Sequence, residues 1–449
     1  MTTFHFRNSS SQCFQFTMTN SSSSALLHSL VQLSQTLKSK LSKTPYNPPE
    51  GSPNVSIKST LQDLLPNPNI SEADFRTHIK DFVLCCASLA SALNSSTEHL
   101  SWIPNSLSFS AISALEDFAN AYCKSSNVKD SIKICELELD LRFLENDKRL
   151  VMELMPEVLP LFKDKIKESA IDDSDDGDGI SAASAKAPVA YAIVAAYQFR
   201  WIVTQVDCFT LGKLCPLVVP CALTALDHWS QEVKGQGMIS FIHLGKIVNA
   251  ADFGSYVDVI LDACCQNVAS DDEIWHYVVE MSVLLITSTQ RNNPRSQWFE
   301  RLLNEMLNHL ERQPRNKQRR TAWLSHIEPL FNVLGLLLLA HFRRLFPLFF
   351  KWMHADDDET VLLVLERTKT ILRVTWIRNS PLIERFVDEL ITLYKEAALK
   401  VNREAIRSLV LQILTLIQHS NGSHFDATWE KYKDDPDLIS LSGRFQLKI

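Results

Sequence analysis

Five times after residue 210 the chain runs through the same plan: an apolar helix, a polar turn, then a second apolar helix. The units start near Leu211, Ala251, Pro294, His341 and Pro381. One such unit cannot bury its own apolar face, so it must stack on its neighbours. The expected fold class is therefore all-α, an α-solenoid of stacked antiparallel helix pairs. A fold of that kind offers an extended surface rather than an enclosed reaction site.

The starts lie about 40 to 47 residues apart, the length of a HEAT or armadillo repeat. Glycine agrees with this, at 11 residues in 449, where an average chain has roughly 7%. A Rossmann or barrel enzyme needs more glycine for its turns and phosphate loops. No GxxxxGK[ST], GxGxxG, GxSxG or HExxH pattern occurs. His228, His243, His276 and His326 stand singly on helices or turns and read as core or surface residues. The acidic clusters fall in loops and at helix starts, where solvation and the helix dipole account for them. No catalytic, cofactor-binding or metal-binding residue is assigned, and the expectation is a non-enzymatic chain without a cofactor.

Net charge is −7, which does not suit a general nucleic-acid binder. The ten cysteines have no framework. Cys85–Cys86 and Cys264–Cys265 are adjacent pairs in apolar stretches, Cys208, Cys215 and Cys221 are irregularly spaced, and CxxC is absent. They read as free buried thiols in a reducing compartment, cytoplasmic with the nucleus left open. Leu330 to Ala340 is strongly apolar but short, and Arg343 and Arg344 interrupt it before Leu345 to Phe350. A bilayer needs about 20 apolar residues, so this stretch reads as a buried helix pair and no membrane partner is expected.

Five segments follow from composition and periodicity. Residues 1–24 are serine-rich, with no acid before Glu50 and only Arg7 among the arginines. They are expected to form a disordered tail, with Met18 as an alternative start. Residues 25–167 form an N-terminal helical region. Its helices are expected at Ala25–Leu41, from Ser71 as a cap with Asp74 three positions on, and near Ala111–Tyr122, Val128–Leu144 and Asp147–Lys167. Residues 168–188 are an acidic flexible loop carrying Asp172, Asp173, Asp175, Asp176 and Asp178. It is a linker on the plain reading and a docking loop with Ser174 as phosphosite on the sharper one. Residues 189–420 form the HEAT-like region, and 421–449 close the chain.

Within the repeats, Pro216 and Pro220 kink or punctuate the first helix, and Ser270 with Glu273 forms a capping box for the helix containing Trp275. Asp356, Asp357 and Asp358 place negative charge at a helix N-terminus. Val361, Leu365, Thr368, Ile371 and Leu372 form a buried stripe, as do Phe386, Leu390 and Leu393 and then Ile406, Leu409, Val410, Ile413 and Ile417. Asn421–Gly422 is expected to stop the final helix. An inserted basic run comprises Arg312, Arg315, Lys317, Arg319 and Arg320. Its default reading is a solvated loop between helices, and its sharper one is contact with phosphate or an acidic partner.

The stretch from Trp201 to Leu285 adds a resemblance. Trp201-Ile-Val-Thr-Gln-Val206 precedes Cys215-Pro-Leu-Val-Val-Pro-Cys-Ala-Leu-Thr-Ala-Leu-Asp227, and the run continues through Lys234 and Gly237 to Ala251-Asp-Phe-Gly-Ser-Tyr256. This resembles the second Tel-interacting subunit of the Triple T cochaperone complex, whose members show a leucine- and proline-rich helix, an Asp-Asp-aromatic turn, then lysine and glycine. Asp227, Trp229, Lys234 and Gly237 match, while His228 and Gln231 depart from the family's second Asp and common Pro. Thr375-Trp376-Ile-Arg378 resembles its Trp-Pro-Arg region, with Ile377 in place of proline. The resemblance implies a cochaperone adaptor, a plant member by its N-terminal composition and acidic loop. Its partners would be the two larger Triple T subunits and the Hsp-ninety chaperone system, and its task the maturation and stabilisation of phosphatidylinositol-3-kinase-related kinases. Structurally, Asp227 is expected to cap the second helix, Lys234 to pair with a carboxylate of a neighbouring repeat, and Gly237 to permit close packing. The other reading is a generic HEAT or armadillo scaffold in transport or cytoskeletal assembly.

Overall fold

The computed structural model describes residues 20–47, 55–67, 74–94, 99–125, 131–134, 137–142, 144–170, 187–206, 208–375 and 382–438. The N-terminal tail before Asn20, the acidic loop from 171 to 186, the Ser71 cap, Trp376, Arg378 and the last eleven residues lie outside them. The chain divides into two compact units, one of residues 1–161 with 187–206 and one of 162–186 with 207–449.

The first unit contains α1 (Asn20–Lys43), α2 (Ile57–Asp63), α3 (Phe75–Ser91), α4 (Asn105–Ser125), most of α5 (Asn146–Glu168) and α6 (Val189–Thr204). α3 is its centre and packs on α4 and α6, while α1 packs on α4. From Ile79 to Ser91 nearly every residue of α3 is buried, because α3 has neighbours on two sides. Polar groups in that seam are paired across it: Ser91 Oγ donates to the Tyr197 carbonyl at 3.1 Å, Gln198 to the Leu84 carbonyl and Arg200 to the Ser91 carbonyl. Arg76 joins α3 to α5 through Glu153 and Glu157 at 2.6 and 2.8 Å. The contacts group α6 with this unit, not with the repeats that follow it in sequence.

The expected helix over Val128–Leu144 is not formed. Ser131–Ile134 (β1) and Leu137–Asp140 (β2) make an antiparallel hairpin, with Ile132 opposite Leu139 and Ile134 opposite Leu137. The residues alternate apolar and polar with period two over Ser-Ile-Lys-Ile and Leu-Glu-Leu-Asp, and that period belongs to a strand. Four-residue strands show too few alternations to stand out from the leucine-rich helices around them.

The second unit is a solenoid of five antiparallel helix pairs. They are α7 (Cys208–Leu226) with α8 (Gln231–Ile247), α9 (Val257–Asn267) with α10 (Trp275–Thr289), and α11 (Gln297–Arg312) with α12 (Lys317–His326) and its continuation α13 (Glu328–Leu334). α14 (Phe342–Met353) pairs with α15 (Asp358–Thr375), and α16 (Leu382–Glu396) with α17 (Arg403–Trp429). First helices contact first helices and second helices contact second helices from one pair to the next, giving two layers. The core lies between the layers: Trp275, Trp323 and Trp352 are fully buried, and so are the stripes of α15 and α16.

Three local expectations are corrected here. α17 runs through Asn421–Gly422 to Trp429. Phe425 is buried and stacks on Trp429 at 5.6 Å, extending the stripe of Ile413 and Ile417. That burial outweighs the roughly 1 kcal/mol helix penalty of one glycine. Ser270 does not cap α10, whose helix starts at Trp275, five residues on. Ser270 is itself buried, with its hydroxyl on Asn267. Nor does Asp227 cap α8, where Ser230 holds the N-cap position.

Among the described residues one stretch, Glu328–Met353, is long and apolar enough to cross a membrane by length and composition. It is broken at Gly335, whose φ of 50° suits only glycine readily. The residues on either side are core: Leu330, Phe331, Leu338, Leu345, Phe346 and Phe349 are buried in the unit.

Candidate partner-binding surface

The turns inside the helix pairs form one edge of the second unit, and a polar ladder runs along them. At the first turn, Asp227 and Lys234 face each other electrostatically, and Lys234 also feels Asp271 of the next turn. Burial holds the Asp227 carboxyl above and the Lys234 ammonium below their usual ranges, each opposed by the other's charge. At the second, Asp272 takes the Arg319 guanidinium and the Asn316 amide, the latter at 2.6 Å. Hydrogen bonding to Arg319 lowers its pKa. At the fourth turn, Asp357 binds Arg320 and accepts the Thr360 N–H at 2.9 Å, capping α15. Partial burial works against the Asp357 charge, but the Thr360 and Arg320 hydrogen bonds outweigh it and bring the pKa down to about 2. Finally, Asp358 accepts the Asn402 N–H at 2.7 Å, while Lys400 donates to the Ala355 and Asp356 carbonyls.

This ladder redefines the basic run. Arg319 is only 6% exposed. It donates to the Ser270 carbonyl at 2.9 Å and lies over the Trp275 ring at 5.3 Å. Arg320 is nearly buried and also donates to Thr360 Oγ1. The solvated-loop reading is therefore wrong for these two, whose charges bind consecutive repeats together. Lys317 is half-engaged, 3.6 Å from Asp357 and 3.5 Å from Glu359. Arg312 and Arg315 are exposed and have no ion pair among the described residues.

The matched motif positions serve packing as well. A Cβ on Gly237 would meet the Ala225 Cβ at 2.9 Å and the Ala222 carbonyl at 3.2 Å, so glycine sets the α7–α8 approach. Trp229 is half-exposed and its indole N–H donates to the Ser169 carbonyl at 3.0 Å. His228 is buried beside it, its Nδ1 accepting from the Ser230 N–H, and burial pushes its pKa down to about 4. Among the described residues no His, Cys, Asp and Glu group could hold a metal. Cys85, Cys86, Cys215, Cys221, Cys264 and Cys265 are buried free thiols.

The residues that sequence reasoning missed are the ladder acid Asp272 and, beside Asp358, the cation Lys400. A signal existed: partners lie one repeat apart, with sequence separations of 47, 37 and 44. Turn acids with a donor about one repeat away, on either side, could have been searched for directly.

No family model matches the sequence. The uncharacterized protein At2g39910 of Arabidopsis thaliana is 52% identical over 429 residues, covering 95% of this chain and 96% of its own. The chain belongs to the family of that plant protein. TELO2-interacting protein 2 of Mus musculus is 25% identical over 195 residues, and the match spans only 40% of this chain and 38% of the mouse protein. Among solved structures, Kap121p gives a TM-score of 0.45 at 10% identity over 92% of this chain and 43% of that one. An engineered protein gives 0.40 at 10% identity over 94% and 98%. At those scores the fold rests on the helix pairs themselves.

Proposed function

We propose that this chain is a non-enzymatic adaptor of the Triple T type, a helical-repeat scaffold that holds partner proteins along its second unit. The observation that carries the reading is the 25% identity with mouse TELO2-interacting protein 2 over 195 residues. The five stacked pairs support it, because a solenoid presents an extended surface. By this reading its partners are the two larger Triple T subunits and a chaperone system, in the cytoplasm and nucleus, and its clients are phosphatidylinositol-3-kinase-related kinases. The test is affinity purification of the tagged full chain from plant cells with mass spectrometry. Recovery of the two larger Triple T subunits at near-stoichiometric abundance is the expected result. Their absence, with importin cargo or tubulin recovered instead, would move the chain to the generic scaffold class.

A further inference from the structure

One strip of the second unit's surface combines exposed leucines with unpaired cations. It begins in the 3₁₀ segment Gly335–His341, where Leu336, Leu337 and Leu339 are 61%, 38% and 48% exposed while Leu338 is fully buried. It continues along the outside of α14 through Arg343, Pro347 and Lys351, all exposed and one turn apart. Trp352 donates to the Pro314 carbonyl at 2.9 Å, which places the end of α14 beside the turn carrying Arg312 and Arg315. The strip is therefore apolar at one end and basic from Arg343 onward, along the about 18 Å of α14.

The charges on this face are unequally satisfied. Neighbouring carboxylates already have cations: Glu311 takes Arg344 at 2.8 Å and Glu389 takes Arg385 at 3.3 Å. Glu384 takes Lys431. Arg312, Arg315, Arg343 and Lys351 have no ion pair among the described residues, in a chain whose net charge is −7. Glu300 is close enough to His341 to act on it, which sets a negative charge near the apolar end. A run of exposed leucines on a repeat surface is itself a mark of an interaction site.

We infer that this strip docks an amphipathic helical segment of a partner protein, its apolar residues on Leu336, Leu337 and Leu339 and its carboxylates toward Arg343, Lys351, Arg312 and Arg315. The inference rests on the scaffold reading and names the surface and the chemistry of the partner. Helix-on-surface recognition of this kind reads anchors at i, i+3, i+4 and i+7 of the docking helix. The cations add orientation and salt dependence.

The probe is a fluorescent peptide helix of about 18 residues with leucines on one face of its first half and glutamates on that face of its second half. An isomeric peptide carries lysines in place of the glutamates. Anisotropy with the full-length protein should show binding of the glutamate peptide that weakens with salt, and at least about tenfold weaker binding of the lysine peptide. Leu336→Asp with Leu339→Asp, and separately Arg343→Glu with Lys351→Glu, should each cost about tenfold or more. Their circular dichroism should remain that of the parent, because all four side chains are exposed. Equal binding of both peptides, no binding of either, or indifference to both double variants would overturn the proposal. So would binding of phosphatidylserine vesicles that the same variants abolish, since the strip would then face a membrane. In cells depleted of the endogenous protein, failure of the parent chain to restore kinase levels would contradict the adaptor reading. Restoration by the parent and equally by both double variants would contradict only the docking strip.

Discussion

Arg319 and Arg312 are seven residues apart and carry the same charge, yet they do different things. Arg319 is buried between a carboxylate, a carbonyl and an indole ring, so Arg319→Ala is expected to lower stability by about 2 kcal/mol. Arg312→Ala should stay within about 0.5 kcal/mol. Chemical denaturation of both variants checks this, and equal midpoints would mean that the ladder does not bind the repeats. Charge reversal of Arg319 with Arg320 is accordingly a folding mutation and not a probe of binding. Two titrations belong to the same scale. The Asp357 carboxyl is depressed to about 2, so its contribution is present above the ordinary carboxylate range near 4 and is lost as pH falls toward 2. Asp357→Asn should flatten the stability curve in that window. The His228 ring is depressed to about 4, so stability held above about 6.5 falls as the pH drops from there to 4, while the unfolded chain takes up the proton. His228→Gln should remove that part of the acid sensitivity in a pH series of melting temperatures, and an unaltered slope would contradict the burial argument.

At the scale of elements, two glycines on helices separate close packing from spare flexibility. Gly237→Ala drives a methyl onto Ala225 and the Ala222 carbonyl, and overpacking of this kind costs about 1–3 kcal/mol. Gly422→Ala meets nothing within 4 Å in α17 and should stabilise by about 0.4–1 kcal/mol. Melting temperatures that move together would contradict the α7–α8 geometry. Leu365→Asp would place an unpaired charge at a fully buried site of α15, and severe destabilisation is expected. The stripes of α15, α16 and α17 were legible in the sequence because each repeats at helical spacing over several turns. The hairpin was not, since four-residue strands offer only two alternations. Gly422 was read as a stop because local propensity cannot see Phe425 and Trp429 going into the core. The ladder escaped for a related reason: each of its pairs joins residues a full repeat apart, and a charge read locally looks solvated.

For the whole molecule, the repeat period was enough to establish the helical solenoid, since a helix pair with an uncovered apolar face has few other solutions. The partners lay beyond that argument, because close packing accounts for Gly237 and the Asp227 and Lys234 charges face each other at one turn. The function proposed here therefore depends on what the surface holds in the cell. The most direct measurement is the steady-state abundance of phosphatidylinositol-3-kinase-related kinases after depletion of this protein, taken together with their transcripts. An adaptor that matures those kinases predicts that their protein levels fall while their transcripts stay constant, and that the parent chain restores them. Normal kinase levels after complete depletion would contradict the cochaperone account and leave a scaffold with other partners.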